Sequence, residues 1–518
     1  MRSSDAASFR SAGPDLGVVF PLVDGTRSTS ATGRAVVADA VRAVAPDLAG
    51  RVHGIRDWRS GYLGPFREMT RLALVVPGAT ASIAAEGLAS VHRRFRFRHE
   101  GEDLPLATVL GPGAPVVPDA GGPGRLHTVT VGGSRPPGPD VLSVPYRGGR
   151  LVADDLEAQL DVWVSAGTAE PSFATAVRAV MTQPAWLDLR DLTVAVLGAG
   201  AQMGPLVSLL GWGAHVVAVD LPRPAIWSRL LGVARAGVGR LSVPVSRPVP
   251  ATATDAEIAA VAGVDVVAAA PRVAAWLAAV EGPFVLGNYV YADGAAHVRA
   301  AVAVDMITNA LLAARPDVSL AFLATPTDAF AVPADVVAES RRRYEERALV
   351  RRVARVASAG RLFRPNYQVV ERLPDGAFGG INDSLVPQQG PNYALAKRIQ
   401  RWRALAARAQ GRLVSLNVAP ATRTRSVMRN RMLAAGYAGA HRFGVEVFDP
   451  STSNTVMATL LVHDLRHPAA VAAPVTPLSH PLELFWQGAN HGGLWRNAFE
   501  ARSVLGLAVA LGMVQPGA

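Results

Sequence analysis

Apolar positions in this chain fall into short continuous runs and longer runs of helical period, and the two alternate. Thr193–Leu197 (TVAVL) is a β-branched, apolar run, the pattern of a strand buried on both faces of a parallel sheet. Three glycines follow, Gly198, Gly200 and Gly204; residues 205–212 then read as a short helix and His215–Val219 as a second strand, ending in Asp220. Upstream, residues 18–22 and 72–76 read as strands, and 34–44 and 80–93 as helices. Two Gly/Pro-rich stretches, 111–124 and 132–139, read as long loops. Asp154 and Asp155 are expected to cap an apolar-periodic segment, and 172–181 forms a helix leading into the Thr193 strand. Downstream, residues 264–268 read as a strand, 302–315 as a helix and Val318–Ala324 as a strand that ends at Thr325-Pro326-Thr327. An arginine-rich amphipathic helix over 334–359 is followed by a helix from Asn392 to near Gly411. A strand over 413–418 then runs into Pro420 and Thr424.

The order strand, glycines, helix, strand, acid carries chemistry. Glycines let the backbone turn tightly and approach a pyrophosphate, and a helix N-terminus behind them offers free N–H groups and the positive end of a dipole. An acid about 20 positions on can accept ribose hydroxyls. This predicts an α/β chain with a doubly wound, Rossmann-like parallel sheet and a dinucleotide site. The site is made by Gly198, Gly200 and Gly204, with Gln202 and Met203 between them, and by Asp220. A carboxylate repels a 2′-phosphate, so NAD is expected, with NADP kept open because Arg223 lies close by in sequence. The domain reading is 1–188 as an N-terminal α/β unit of unknown role. Residues 189–518 are the nucleotide-binding unit, with a helical insertion at about 330–390 and a C-terminal substrate-side segment.

Composition narrows the classes. The 518 residues allow two or three domains with their own cores. No cysteine is present, which excludes disulfides, thiol nucleophiles and thiolate metal sites. No apolar run of membrane-spanning length lacks a charge, so no membrane span is expected, and the first residues lack the apolar region of a secretory signal. A cytoplasmic protein is the simplest expectation. The net charge of +11 comes almost wholly from scattered arginines without an aromatic-interleaved basic block, so no specific nucleic-acid partner is expected. Self-association into a homo-oligomer stays open.

One basic residue stands apart. Lys397 is the only lysine in the chain. An ammonium is a compact charge with three freely aimed donors, a role a guanidinium cannot fill. Tyr393 precedes it by four residues, so the two share a helix face, about opposite the stripe of Leu395, Ile399, Trp402 and Ala406. A carbonyl that accepts hydride develops charge on oxygen and needs a positioned acid. Tyrosine serves only if a nearby cation lowers its pKa from about 10.

From about Asp191 to Thr424 the chain resembles the short-chain dehydrogenase/reductase superfamily. Gly198 and Gly204 match the outer glycines of that family's turn, Asp220 its acid, Tyr393 and Lys397 its Y-x-x-x-K pair, and Pro420 with Thr424 its later cofactor loop. Thr325 or Thr327 stands where the family has a Ser or Thr after the fifth strand, and Ser384 is the other candidate. The departures are Gln202 for the middle glycine, Ala303 for the helix asparagine, Ala268–Pro271 for Asn-Asn-Ala-Gly after the fourth strand, and Ala421 for the glycine after Pro420. The resemblance implies an NAD(P)-dependent oxidoreductase acting on the carbonyl/alcohol pair of a small-molecule substrate. Tyr393 would be its acid/base, Lys397 the group that lowers the phenol's pKa, and Thr325 or Ser384 the hydroxyl that orients the carbonyl. The alternative is a dinucleotide-binding sensor or scaffold without catalysis.

Two polar clusters remain. His463 and His467 have the i, i+4 spacing of metal ligands on a helix, but Pro468 ends that helix and no third ligand follows, so no metal is expected. The aromatic, amide and glycine-rich stretch from Phe485 to Trp495 reads as a loop lining a pocket for a hydrophobic substrate, or as a plain structural turn.

Overall fold

The computed structural model describes residues 16–110, 125–138 and 141–514; the expected loop over 111–124 lies outside them. Seven strands form the central sheet: β1 (His127–Gly132), β2 (Thr193–Leu197), β3 (His215–Val219), β4 (Arg240–Val245), β5 (Phe284–Asn288), β6 (Val318–Ala324) and β7 (Val414–Val418). Their spatial order is β7-β6-β5-β2-β3-β4-β1. All neighbours are parallel except β1, which runs antiparallel along β4. Side chains alternate between two cores: in β2, Ala195 and Leu197 face one and Val194 and Val196 the other. A strand covered on both sides has no polar face to show, and that is why TVAVL carries no alternation.

Among the helices are, in chain order, α1 (Thr29–Arg42), α2 (Leu63–Val75), α3 (Ala79–Arg94), α4 (Pro171–Thr182), α5 (Leu206–Gly211), α6 (Pro224–Ala236), α7 (Gly294–Ala314), α8 (Ala334–Glu345), α9 (Leu349–Ala357), α10 (Gly390–Ala409) and α11 (Pro450–Arg466). Helices α5 and α6 connect β2, β3 and β4 and pack in one core; α7 and α10 connect β5, β6 and β7 and pack in the other. The winding therefore reverses between the adjacent strands β2 and β5, the arrangement that opens a crevice at strand C-termini in α/β sheets. This is a mixed α/β architecture compatible with a Rossmann-like fold.

Residues before 189 belong to both layers. Helices α1, α2 and α3 pack in the core of α7 and α10, α4 packs in the core of α5 and α6, and β1 extends the sheet. Gly87 lets α3 approach α10 closely, since a Cβ there would lie 2.6 Å from the ring of Trp402. The boundary expected at residue 188 thus divides neither core. Helix α7 is the one described helix long and apolar enough to cross a membrane, and 83% of its apolar window is buried inside the fold.

Several expected elements differ. Residues 72–75 complete α2 instead of forming a strand: Leu72 and Leu74 are buried on a helix that began at Leu63. Residues 264–268 are not a strand either. Asp265 Oδ1 accepts from the Val267 backbone N–H at 2.8 Å, holding a turn. The strand that follows β4 in the sheet order of the chain is Phe284–Asn288, so Tyr289–Tyr291, not Ala268–Pro271, follows the fourth parallel strand. The arginine-rich helix is broken around residue 347 into α8 and α9. The insertion is not purely helical, because Ala329–Pro333, Phe378–Asp383 and Glu371–Arg372 pair as a small antiparallel sheet. Asp154 and Asp155 lie in the first turn of the helix Asp154–Ser165, and its capping residue is Ala153, which makes no side-chain cap.

Candidate functional site at the strand ends

Every candidate from Gly198 to Pro420, apart from Ser384, traces to the C-terminal edge of one sheet. Gly198 follows β2, Asp220 follows β3, Tyr289 follows β5, Thr325 follows β6 and Ala419-Pro420 follows β7. Gly198 has φ +80°, and a Cβ there would sit 2.9 Å from the Tyr289 carbonyl, so the position requires glycine on two counts. The backbone N–H of Gly200 donates to Asp220 Oδ2 at 2.6 Å and that of Leu221 to Oδ1 at 2.7 Å. Arg229 donates from Nη2 to the Gly200 carbonyl at 2.9 Å. Burial raises the Asp220 carboxyl, while the two N–H groups and the charges of Arg229 and Arg223 pull it back. A side chain at Gly200 would meet Asp220, Ile226 and Arg229 within 3.2 Å. The glycine turn and the carboxylate are thus tied to each other, with Arg229 and Arg223 beside them.

The rest of the turn is roofed by the C-terminal part of the chain. Gln202 Oε1 accepts from the Arg425 backbone N–H at 2.7 Å, and Asn454 Nδ2 donates to the Gly204 carbonyl at 2.9 Å. Thr424 shares a 3.0 Å hydrogen bond with Ser426, whose side chain also reaches Tyr291. Met203 is half-buried against the α5–α6 core. Pro420 is buried, with its carbonyl taken by the Thr422 hydroxyl at 2.8 Å, so it shapes the loop and presents nothing at the edge. The helix behind the glycines is only six residues long, shorter than expected from the sequence.

Tyr393 and Thr325 meet. They lie 68 residues apart, on the N-terminal part of α10 and just beyond the end of β6, and the Thr325 hydroxyl, which shares a 2.9 Å hydrogen bond with Thr327, lies beside the phenol. Burial holds the phenol well above its ordinary pKa, and the Thr325 side chain draws it part of the way back. The Tyr393 ring also contacts Tyr291 and His297, with centroids 6.3 and 5.4 Å away. His297, in the first turn of α7, is 1% exposed, and neither ring nitrogen has a partner among the described residues. Burial and the charge of Lys397 hold it neutral, with a pKa pushed down to about 3.

Lys397 is turned elsewhere. Its Nζ donates to Gln400 Oε1 at 3.2 Å, and burial pushes its pKa down to about 8 against the attraction of Asp328. The groups that shift Tyr393 are Thr325, Tyr437 and Asp328, so the expected lowering of the phenol by the ammonium is not made in this arrangement. Asp328, one turn beyond Thr325, draws the only lysine towards the sheet and itself receives Arg398 at 3.0 Å and Arg401 at 2.9 Å. Thr325, Lys397, Gln400 and Asp328 line a crevice between α10 and the ends of β6 and β7 that is too narrow to admit water.

Other candidates lie apart from this cluster. Ser384 is buried at the end of the insertion's sheet and donates to Asn382 Oδ1 at 2.7 Å; Thr327 is the exception, sharing a 2.9 Å hydrogen bond with Thr325 while Gln389 Nε2 donates to it at 2.6 Å. The stretch from Phe485 to Trp495 is an interior clamp. His491 is fully buried, stacks on Trp495 and meets Glu170 at 2.9 Å, and Arg496 also pairs with Glu170. His463 and His467 stack on each other and meet the Trp186 ring edge-on.

His297, Tyr291, Gln400 and Asp328 were not legible as site residues. Once residues 284–288 are read as the fourth parallel strand, Tyr289–Tyr291 and the helix start at Gly294 fall at the strand ends, and this reading would have found His297. No family model, curated protein or solved structure matches the chain.

Proposed function

We propose that this chain is an NAD(P)-dependent oxidoreductase of Rossmann-like fold, similar to the short-chain dehydrogenases, that interconverts a carbonyl and an alcohol on a small molecule. The observation that carries the reading is the approach of the Thr325 hydroxyl to Tyr393 at the end of β6, where it lowers the phenol's pKa, on the same sheet edge as the Gly198 turn and Asp220. Gly198, Gly200 and Asp220 would hold the adenosine ribose end of the dinucleotide; Arg229 and Arg223 beside Asp220 favour NADP as well as NAD. The nicotinamide, when bound, supplies or takes the hydride.

The chain's own residues handle the proton. Thr325 holds the substrate oxygen by a hydrogen bond, and Tyr393 gives it a proton as charge develops there. Lys397, with a pKa of about 8, lies one turn along the same helix and would reach the tyrosine only on leaving Gln400. His297, held neutral by burial and by the charge of Lys397, packs against Tyr393 with neither ring nitrogen partnered among the described residues.

A second reading has its own support. The tie of Lys397 to Gln400 and the raised pKa of Tyr393 suit a dinucleotide-binding sensor without turnover. Oxidation of NADH and NADPH in the presence of a panel of ketones, aldehydes and acyl thioesters separates the two. The oxidoreductase reading expects turnover that Tyr393→Phe lowers by about a hundredfold or more, with cofactor affinity unchanged. Turnover that survives in Tyr393→Phe contradicts it.

A further inference from the structure

Helix α9 is folded with its apolar side out. Leu349, Val350, Val353 and Val356 are 73, 71, 58 and 80% exposed, and the helix has no buried residue. At 100° per residue, Leu349, Val353 and Val356 fall within about 60° of one another, with Val350 beside them, so they form one stripe. Two of its arginines point the other way: Arg351 lies over the ring of Phe499 at 5.4 Å and donates to the Arg442 carbonyl, and Arg355 donates to the Phe363 carbonyl, while Arg352 stays exposed beside the stripe. An ordinary surface helix buries its aliphatic stripe and leaves its charges in water.

We propose that α9 is a docking element for an anionic lipid surface. Residues 341–361 carry eight arginines and two glutamates, a net charge of +6 in the segment that holds the stripe; Arg342 and Arg343 on α8 are paired with Glu339 and Glu346, and the arginines nearer the stripe carry the remainder. Aliphatic side chains on a single short helix bind a bilayer only marginally, and a polybasic surround is the usual second contribution. Two other occupants fit less well. A second copy facing this helix across a two-fold axis would set +6 against +6. Four aliphatic side chains also fall far short of the roughly 1,600 Å² that a stable interface buries. A nucleic acid would place phosphates against valine and leucine.

Flotation of the purified chain with vesicles tests this, using phosphatidylcholine alone and an equal mixture with phosphatidylglycerol. Binding is expected to the anionic vesicles only, and to weaken as salt rises. Val353→Asp should lower binding by about tenfold or more, and Arg352→Glu should also weaken it. Both side chains are exposed, so the melting temperature should not move. No binding to anionic vesicles overturns the proposal, as does binding that Val353→Asp leaves intact. Sedimentation velocity supplies the other arm: a dimer of the wild type that Val353→Asp dissociates would assign the stripe to self-association instead. DNA binding unaffected by Val353→Asp, without vesicle binding, would assign the arginines to nucleic acid.

Discussion

The ammonium of Lys397 sits where charge is disfavoured, and this gives it a signature independent of any reaction. Its pKa in the folded chain, about 8, lies below the ordinary 10.5, so the unfolded chain holds the proton more tightly. Between those two values the unfolded state binds more protons, and stability therefore rises with pH across that window. Below pH 8 both states are protonated and the full burial penalty remains. Thermal melts of wild type and Lys397→Met should show the wild type gaining on the variant from pH 8 to 10.5; a constant gap would mean the lysine is solvated. The pairing of Tyr393 with Lys397 was legible from their spacing. The direction in which Lys397 points was not, because Asp328 and Gln400 compete for it only after β6 and α10 have packed.

At the scale of elements, α10 is held in place by buried charges as well as by its apolar stripe. Asp328 takes Arg398 and Arg401 at its middle, and Asp305 on α7 takes Arg403 at 2.7 Å just beyond. The Asp305 carboxyl is held far below the usual range by Arg403 and His92, despite full burial. Removing one partner of such a set leaves charge buried and unpaired, which costs about 3–5 kcal/mol. Asp328→Ala should lose about that much in urea unfolding; a loss below about 1 kcal/mol would mean water reaches the arginines. A helix with polar residues buried on several sides does not show a simple apolar stripe. The sequence pattern therefore marked Leu395, Ile399 and Trp402 as the packing side and gave no sign of the arginines' burial. Strands β2, β3 and β6 were read to the residue, because double burial writes itself as a continuous apolar run. The same rule misread residues 264–268, where Asp265 caps a turn instead.

For the whole molecule, the two halves of the chain share their cores. Trp402 of α10 packs against Gly87 of α3, and His92 of α3 meets Asp305 of α7 at 2.6 Å. Residues 189–518 expressed alone would expose these surfaces and one edge of β4, so they should not fold cooperatively. Circular dichroism melting of that fragment checks this, and a sharp transition like that of the full chain would restore the boundary at 188. No local pattern could have shown this shared core, because it depends on contacts between residues hundreds of positions apart.

The central claim is that the Gly198 turn and Asp220 receive a dinucleotide, and calorimetric titration of the full chain with NADH and with NADPH tests it most directly. The account expects saturable binding of at least one of them, at one site per chain. Gly200→Val should abolish that binding by crowding Asp220, Ile226 and Arg229. Binding of neither cofactor to the folded wild type would contradict the account.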